Sequence, residues 1–312
     1  MRILSVCVAA LGGARASAED FPNKPIRILT GSAGASLDFM ARLIAREISG
    51  PLGQPVVIDN RSPVVAAETV AKALPDGHTL ILYGNPFWIG PLLQKLSYDP
   101  IRDFLPITLA GVTPNIIVVH PSLPVRSVKE LIALAKVKPG VLNYAASGMG
   151  GAGHLATELF KSMAGVRIEH INYKTTAQAI NDLVGGQEQL LMFCPGVAAA
   201  PHIPTGRLRA LAVTTAQSST LFPDLPTVAA SLPGYESSLI VGIFAPARTP
   251  ATISGRLNQE IVRVLLTAEM KEKFRGSGSE VIASSPEQLA ATVKSEIYTL
   301  GKMIRDLNIR AE

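Results

Sequence analysis

PIRILTGSAGASLDFMARLIAREI, residues 25–48, contains a complete strand-to-helix unit. PIRILT is a short apolar run that reads as a strand ending at Thr30. The chain then breaks into Gly31-Ser32-Ala33-Gly34. From Leu37 onward apolar residues recur at 37, 40, 43, 44 and 48, the spacing of an amphipathic helix. Small residues ahead of a helix leave its first backbone N–H groups bare. That end also carries the positive pole of the helix dipole, so it suits an anion. A tight turn with no ligand would read the same way in this stretch alone.

The same rhythm continues outward. QPVVID (54–59) is a strand, VVAAETVAKAL (64–74) a helix, and HTLILY (78–83) a strand after the Pro75-Asp76-Gly77 turn. This alternation predicts an α/β fold with a parallel sheet. Apolar runs follow at 104–111 and 115–121. A second α/β unit opens at Ser127, an N-cap with Glu130 three residues on and Gly140 beyond the helix end. Strands are expected at 141–147, 166–173, 189–193 and 207–213, with helices at 153–165, 176–186 and near 197–205. Residues 238–247 form a long apolar strand, and three helical stretches finish the chain, the last from Pro286 to about Leu307. The two units join near 120–124 and again near 234–236. The expected partition is 19–122 plus 237–312 as lobe 1 and 123–236 as lobe 2. Two crossings of that kind would leave a hinge and a cleft.

With 312 residues, 47% hydrophobic and 17% charged, the chain can bury a large core and fill two domains. Its net charge of +5 comes from scattered residues without a basic run or an aromatic-basic stripe, so no nucleic-acid partner is expected. The first twenty residues, MRILSVCVAALGGARASAED, combine one early basic residue, an apolar stretch from Ile3 to Leu11, and Ala16-Ser17-Ala18 before Glu19. That is the layout of a secretory signal peptide, so residues 1–18 are expected to be cleaved and the product to be periplasmic. Cleavage would remove Cys7 and leave Cys194 as the one thiol, which excludes an internal disulfide. No later segment reaches the roughly 18–20 apolar residues that span a bilayer.

Residues 148–153, Gly-Met-Gly-Gly-Ala-Gly, form a G-x-G-x-x-G between a strand and a helix, and Glu169 follows on the next strand. This is the dinucleotide fingerprint with its ribose-binding acid, and an NAD-dependent oxidoreductase is one reading of it. A nicotinamide cofactor is scarce outside the cytoplasm, and the chain offers no further hydride-transfer apparatus. In both readings backbone amides at a helix start face an anion, which is either a pyrophosphate or a small carboxylate. The five histidines make no H-E-x-x-H and there is no cysteine cluster, so no metal, cofactor or catalytic set is expected. His154 and Glu158, four apart on a helix, read as a surface pair. Cys194 reads as a small packing residue, and Phe87 and Trp88 as residues packed on a loop.

The chain resembles the exported substrate-binding proteins of the tripartite tricarboxylate transporter family, also called Bug-type receptors. The resemblance runs from about Phe21 to Ala311. It is carried by FPNKPIRIL, GQPVVIDNR, VAKALPDGHTL, YDPIRDFLPIT, VVHPSLPVRSVKELIALAK, SGMGGAGHLATELFKSMAG, INYKTTAQAINDLVGGQ, GRLRALAVTT, LPTVAASLPGYE and RLNQEIV. It implies a two-lobed periplasmic-binding-protein fold of the type II kind, closing on a small carboxylate destined for a membrane permease or a sensor, in a monomer that is not an enzyme. The residues so implied for the ligand are Ser32, Ala33, Ser36, Asn85, Ser147, Gly148, Gly150 and Gly151, with Asp38 bracing the first loop. TGSAGASLD lacks the family's prolines in that loop. Val64 and Val65 stand where glycines are usual, Met149 and Gly151 replace commoner polar residues, and Cys194 takes a place often held by Asp or Ser. The pocket should therefore be more apolar than is usual in the family. If Trp88 joins Val64, Val65 and Met149 at the cleft, a monocarboxylate with an apolar body is the expected ligand. A scaffold that has lost its ligand is the remaining alternative.

Overall fold

A computed structural model describes residues 21–309. The expected leader lies outside these residues. From Ile26 the chain runs β1 (Ile26–Thr30), α1 (Ser36–Leu52), β2 (Val56–Asn60), α2 (Pro63–Ala71), β3 (Thr79–Gly84), α3 (Pro86–Leu93) and β4 (Phe104–Thr113). It continues through β5 (Asn115–Val119), α4 (Val128–Val137), β6 (Asn143–Ser147), α5 (Ala152–Ala164), β7 (Glu169–Tyr173), α6 (Thr176–Val184), β8 (Leu190–Pro195), α7 (Gly196–Ala199) and β9 (Arg209–Val213). It ends with β10 (Leu239–Pro246), α8 (Ala251–Leu265), α9 (Ala268–Gly276), β11 (Glu280–Val281) and α10 (Pro286–Asp306).

These strands make two sheets, one per lobe, ordered β11-β4-β10-β3-β1-β2 and β7-β6-β8-β5-β9. Parallel pairing joins β1 to β2 and β3, and β6 to β7 and β8, as the strand–helix alternation requires. Returning strands run antiparallel, β10 between β3 and β4, and β5 between β8 and β9. The change of sheet comes at Pro114 rather than at 122. β5 pairs with β8 and β9, so it belongs with the second sheet. The second passage, 214–238, lies against the first: Thr214 N–H donates to Asn115 O at 2.9 Å, and Ser237 N–H to Thr214 O at 2.9 Å.

Helices cover both faces of each sheet. On one face of the first sheet, Met40, Ile44 and Ile48 of α1 meet Leu257 and Ile261 of α8 and Phe274 of α9. Its other face carries α2, α3 and α10, and this apolar cluster continues into α4 and α5 of the second lobe without a break. α6 and α7 close the outer face of the second sheet. Phe87 and Trp88 are not on a loop. Pro86 takes the first position of α3, where a missing N–H costs nothing, and both rings are fully buried against Phe244. No helix among the described residues is long and apolar enough to cross a membrane.

Candidate functional site

Helix starts divide into two kinds. Ser127, Thr175, Thr267 and Ser285 cap α4, α6, α9 and α10, each side-chain oxygen accepting a backbone N–H three residues on. At α7 and α8, which follow Pro195 and Pro250, and at the four helices α1, α2, α3 and α5 no side chain caps the first turn. α1 follows Ala35 and α5 follows Gly151, residues with no polar side chain to offer. Each of these four helices follows a strand of a parallel pair (β1, β2, β3 or β6), so its N-terminus stands at the carboxyl end of that strand. Open α/β sheets bind ligands on that side.

Three of the four open ends meet across a cavity of about 390 Å³ between the lobes, a volume suited to a small molecule. Pro63 and Val64 bring the start of α2, Asn85 and Pro86 that of α3, and Gly150 to Ala152 that of α5. α10 adds Ser295, Glu296 and Thr299, and Glu236 and Ser237 come from the second passage. Apolar surface from Ile89, Leu93, Leu96, Leu155, Leu159 and Phe193 fills the rest.

Of the residues expected at the ligand, Asn85, Gly150 and Gly151 line this cavity. Gly148 lies on the same loop outside the lining, and Ser147 ends β6 in register with Tyr173. Ser32 and Ala33 on the β1–α1 loop and Ser36, the first residue of α1, are exposed and do not reach the cavity wall. Val64 lines it, whereas Val65 and Met149 are exposed elsewhere and Trp88 is buried behind the wall.

Local chemistry explains how these loops are held. Asp38 is buried at the start of α1, where its Oδ2 accepts from Gly34 N–H at 2.9 Å and Arg42 Nε at 3.0 Å, and its Oδ1 from Asn60 Nδ2 at 2.8 Å. Burial alone would raise its pKa, but these hydrogen bonds outweigh it and lower the carboxyl to about 2. In the second loop Gly148 and Gly150 have φ of 70° and 74°, the left-handed region that a residue with a Cβ avoids. Gly148 N–H donates to Asn172 Oδ1 at 3.0 Å and Gly150 N–H to His154 Nδ1 at 3.3 Å. His154 is not on the surface. It is 4% exposed, packs its ring at a tilt against His170, and holds its Nε2 4.0 Å from Glu158, which also accepts from Tyr144 and Lys161. Burial lowers the His154 pKa against the opposing pull of Glu158, which favours the neutral imidazole that the Gly150 N–H to Nδ1 hydrogen bond requires.

Glu236 and Glu296 escaped the sequence reading. Glu296 accepts from Trp88 Nε1 at 2.6 Å on Oε2 and from Asn85 Nδ2 at 3.2 Å on Oε1, and the same Asn85 nitrogen donates to Ser238 O at 2.8 Å. Burial pushes the Glu296 carboxyl up to about 7; the Trp88 and Asn85 donors oppose this and nearby Glu236 adds to it. Glu236 stands at the exposed mouth, where the surrounding protein still raises its carboxyl. A signal for Glu296 was present in the helical stripe Leu289, Val293, Glu296, Leu300, Ile304, where one acid interrupts an apolar face.

The geometry disfavours a dinucleotide. Glu169 is the first residue of β7 and sits level with Asn143, at the end of β6 opposite to the glycine loop. Its carboxylate is engaged by Arg167 at 2.8 Å. A ribose-binding acid must stand beside the loop, at the carboxyl end of its strand. Cys194 is fully buried, and burial pushes its thiol up to about 12, far from a nucleophile's range. Among the described residues no group of three acidic, histidine or cysteine side chains could hold a metal ion.

Comparison with known proteins agrees with this architecture. The family model described as "Tripartite tricarboxylate transporter family receptor" matches residues 40–309. The chain is 33% identical to Protein BugT of Bordetella pertussis, over 98% of this chain and 96% of that one. Among solved structures it is similar to R. palustris Rpa4515 with adipate, with 36% identity, TM-score 0.72, and coverage of 93% of this chain and 99% of that one. It is also similar to MatC from Rhodopseudomonas palustris with bound malate, with 28% identity, TM-score 0.69, and coverage of 91% and 100%.

Proposed function

The chain belongs to the tripartite tricarboxylate transporter receptor family, and from that premise we propose that it captures a small organic carboxylate between its lobes and presents it to a membrane permease or sensor. The observation that carries this reading is the convergence of three helix starts without side-chain caps, α2, α3 and α5, on one interlobe cavity. Their amides and dipoles favour a negative group there. Adipate in one relative and malate in another support the carboxylate class.

Asn85, Gly150 and Gly151 are the direct ligand residues, with Ser147 and Gly148 shaping the same loop. Ser32 and Ala33 of the β1–α1 loop and Ser36 at the start of α1 are brought to the cavity mouth by closure of the lobes. The receptor acts as a monomer without catalysis, and its lobes divide near Pro114 and within 214–238. Residues 1–18 direct export to the periplasm, and intact-mass analysis of periplasmic protein would then find Glu19 at the N-terminus.

The wall of Leu93, Leu155, Leu159 and Phe193 suits an apolar ligand body. A second free carboxylate buried against it would cost several kcal/mol. A thermal-shift screen of apolar monocarboxylates, dicarboxylates, citrate and NAD tests the reading. A carboxylate at about a hundred times its dissociation constant adds roughly 2.7 kcal/mol of stability. Stabilisation by NAD alone would restore the oxidoreductase, and no shift with any compound would leave a scaffold.

A further inference from the structure

Away from the cavity the lobes touch a second time. Glu280 belongs to the first lobe, where β11 pairs with β4. Its Oε1 accepts from Ser219 Oγ at 3.1 Å, Thr220 N–H at 2.5 Å, Thr220 Oγ1 at 2.6 Å and Leu221 N–H at 3.2 Å. These donors ride with the second lobe. Phe222 and Leu225 pack on its outer apolar cluster, Val213 N–H donates to Pro226 O at 2.9 Å, and Val213 bridges to Thr227. Beside this contact Gly278 presses on Val197 of α7, since a Cβ on that glycine would come within 2.3 Å of Val197 Cγ1. One carboxylate oxygen thus gathers two backbone amides and two hydroxyls across the lobe boundary, and hydrogen bonds to a carboxylate are the strong kind.

The place of this contact gives it leverage. In the first sheet β11 lies on one side of β4 and β10, the strands that run into the hinge. β3, which leads to Asn85 and the cavity, lies on the other side of them. In the second lobe α5 meets the cavity from the inner face of the sheet, while α7 covers the outer face. None of Val197, 219–222 and 278–280 lines the cavity. A rotation about the hinge strands that narrows the cavity therefore parts Glu280 from residues 219–221. On the lobe closure proposed above, and whatever the ligand, we propose that Glu280 is a latch. Together with Gly278 and Val197 it holds the unliganded lobes open and sets the free-energy difference that a ligand must overcome to close them.

Small-angle scattering of the chain from Glu19 onward, without ligand, tests this. Glu280→Ala should give a smaller radius of gyration than wild type, because the released lobes populate the closed form. Glu280→Gln keeps the shape of the side chain and weakens the acceptor, so its radius should fall between the two. If Glu280 only pins residues 219–221 in place, the radius stays unchanged; that result, or a larger radius, would overturn the proposal. A disulfide supplies the converse. A Cβ on Gly278 would lie 3.5 Å from Val197 Cβ, inside the roughly 3.5–4.5 Å that a disulfide spans, so Val197→Cys/Gly278→Cys can join the lobes at the latch. Cys194 is fully buried and stays out of exchange. Added to Glu280→Ala, this pair should restore the wild-type radius when oxidised and lose it when reduced. Backbone strain at position 278, where φ is 77°, is the same in both states. A pair that fails to cross-link in the otherwise unchanged protein would show that the two residues do not meet, and the latch would fall with it. No ligand enters these measurements, so their outcome is separate from that of the carboxylate reading, which the thermal-shift screen decides.

Discussion

Glu296 ties the stability of the free receptor to pH. Its carboxyl ordinarily titrates near 4.5 and in the fold near 7, so folding takes up a proton between those values. Stability then falls as pH rises through that window, and the cost is fully present above it. The stability of the wild-type protein relative to Glu296→Gln should decline by roughly 1–3 kcal/mol from pH 5 to pH 8, less where water at the cavity screens the charge. Parallel melting curves across that range would show that the carboxyl titrates normally. His154 acts at the same scale on the other lobe. Its Nδ1 accepts the Gly150 N–H and so fixes the loop that begins α5. His154→Phe removes the acceptor and leaves a buried donor unpaired, a loss of about 1–3 kcal/mol. The carboxylate-induced melting shift should shrink along with it, and an unaltered shift would separate His154 from the site.

At the scale of elements, the glycine loop before α5 depends on two left-handed residues. A Cβ on Gly148 would meet nothing within 4 Å, so the cost of Gly148→Ala is backbone strain alone, about 1–2 kcal/mol. Gly148→Asn should recover part of that, because asparagine tolerates the left-handed region, and equal losses for the two would argue against this cause. This loop and its flanking strand and helix were legible in the sequence, as were the amphipathic α1 and the capped α4, because periodicity and capping are local signals. α3 was not legible: PFWIGPLL is apolar all round and carries Pro86 and Pro91, which hides any helical stripe. The lining of the candidate cavity was legible only in part. Gly150 and Gly151 lie on a turn with a local signature and Asn85 is implied by the family resemblance alone, whereas Glu296 comes from a helix more than two hundred residues from Asn85 in the chain. Similarly, Glu169 has suitable spacing from the glycines, but strand register places it at the far end of the sheet.

For the whole molecule, the two passages at Pro114 and 214–238 run side by side, and this is the arrangement of a hinge. Ligand that touches both lobes favours the closed form by its difference in affinity for the two forms. Small-angle scattering should therefore show a smaller radius of gyration at saturation, and an unchanged profile despite measured binding would mean a rigid receptor. The strand order of the first sheet has a consequence of another kind. β10 lies between β3 and β4, so that sheet cannot close until residue 246 has left the ribosome, after the entire second lobe. The wall that α10 gives the cavity, Ser295, Glu296, Thr299 and Leu300, waits still longer. Pairings between such distant parts form slowly. For a chain bearing the proposed leader, that delay would keep the growing polypeptide threadable while it crosses the membrane.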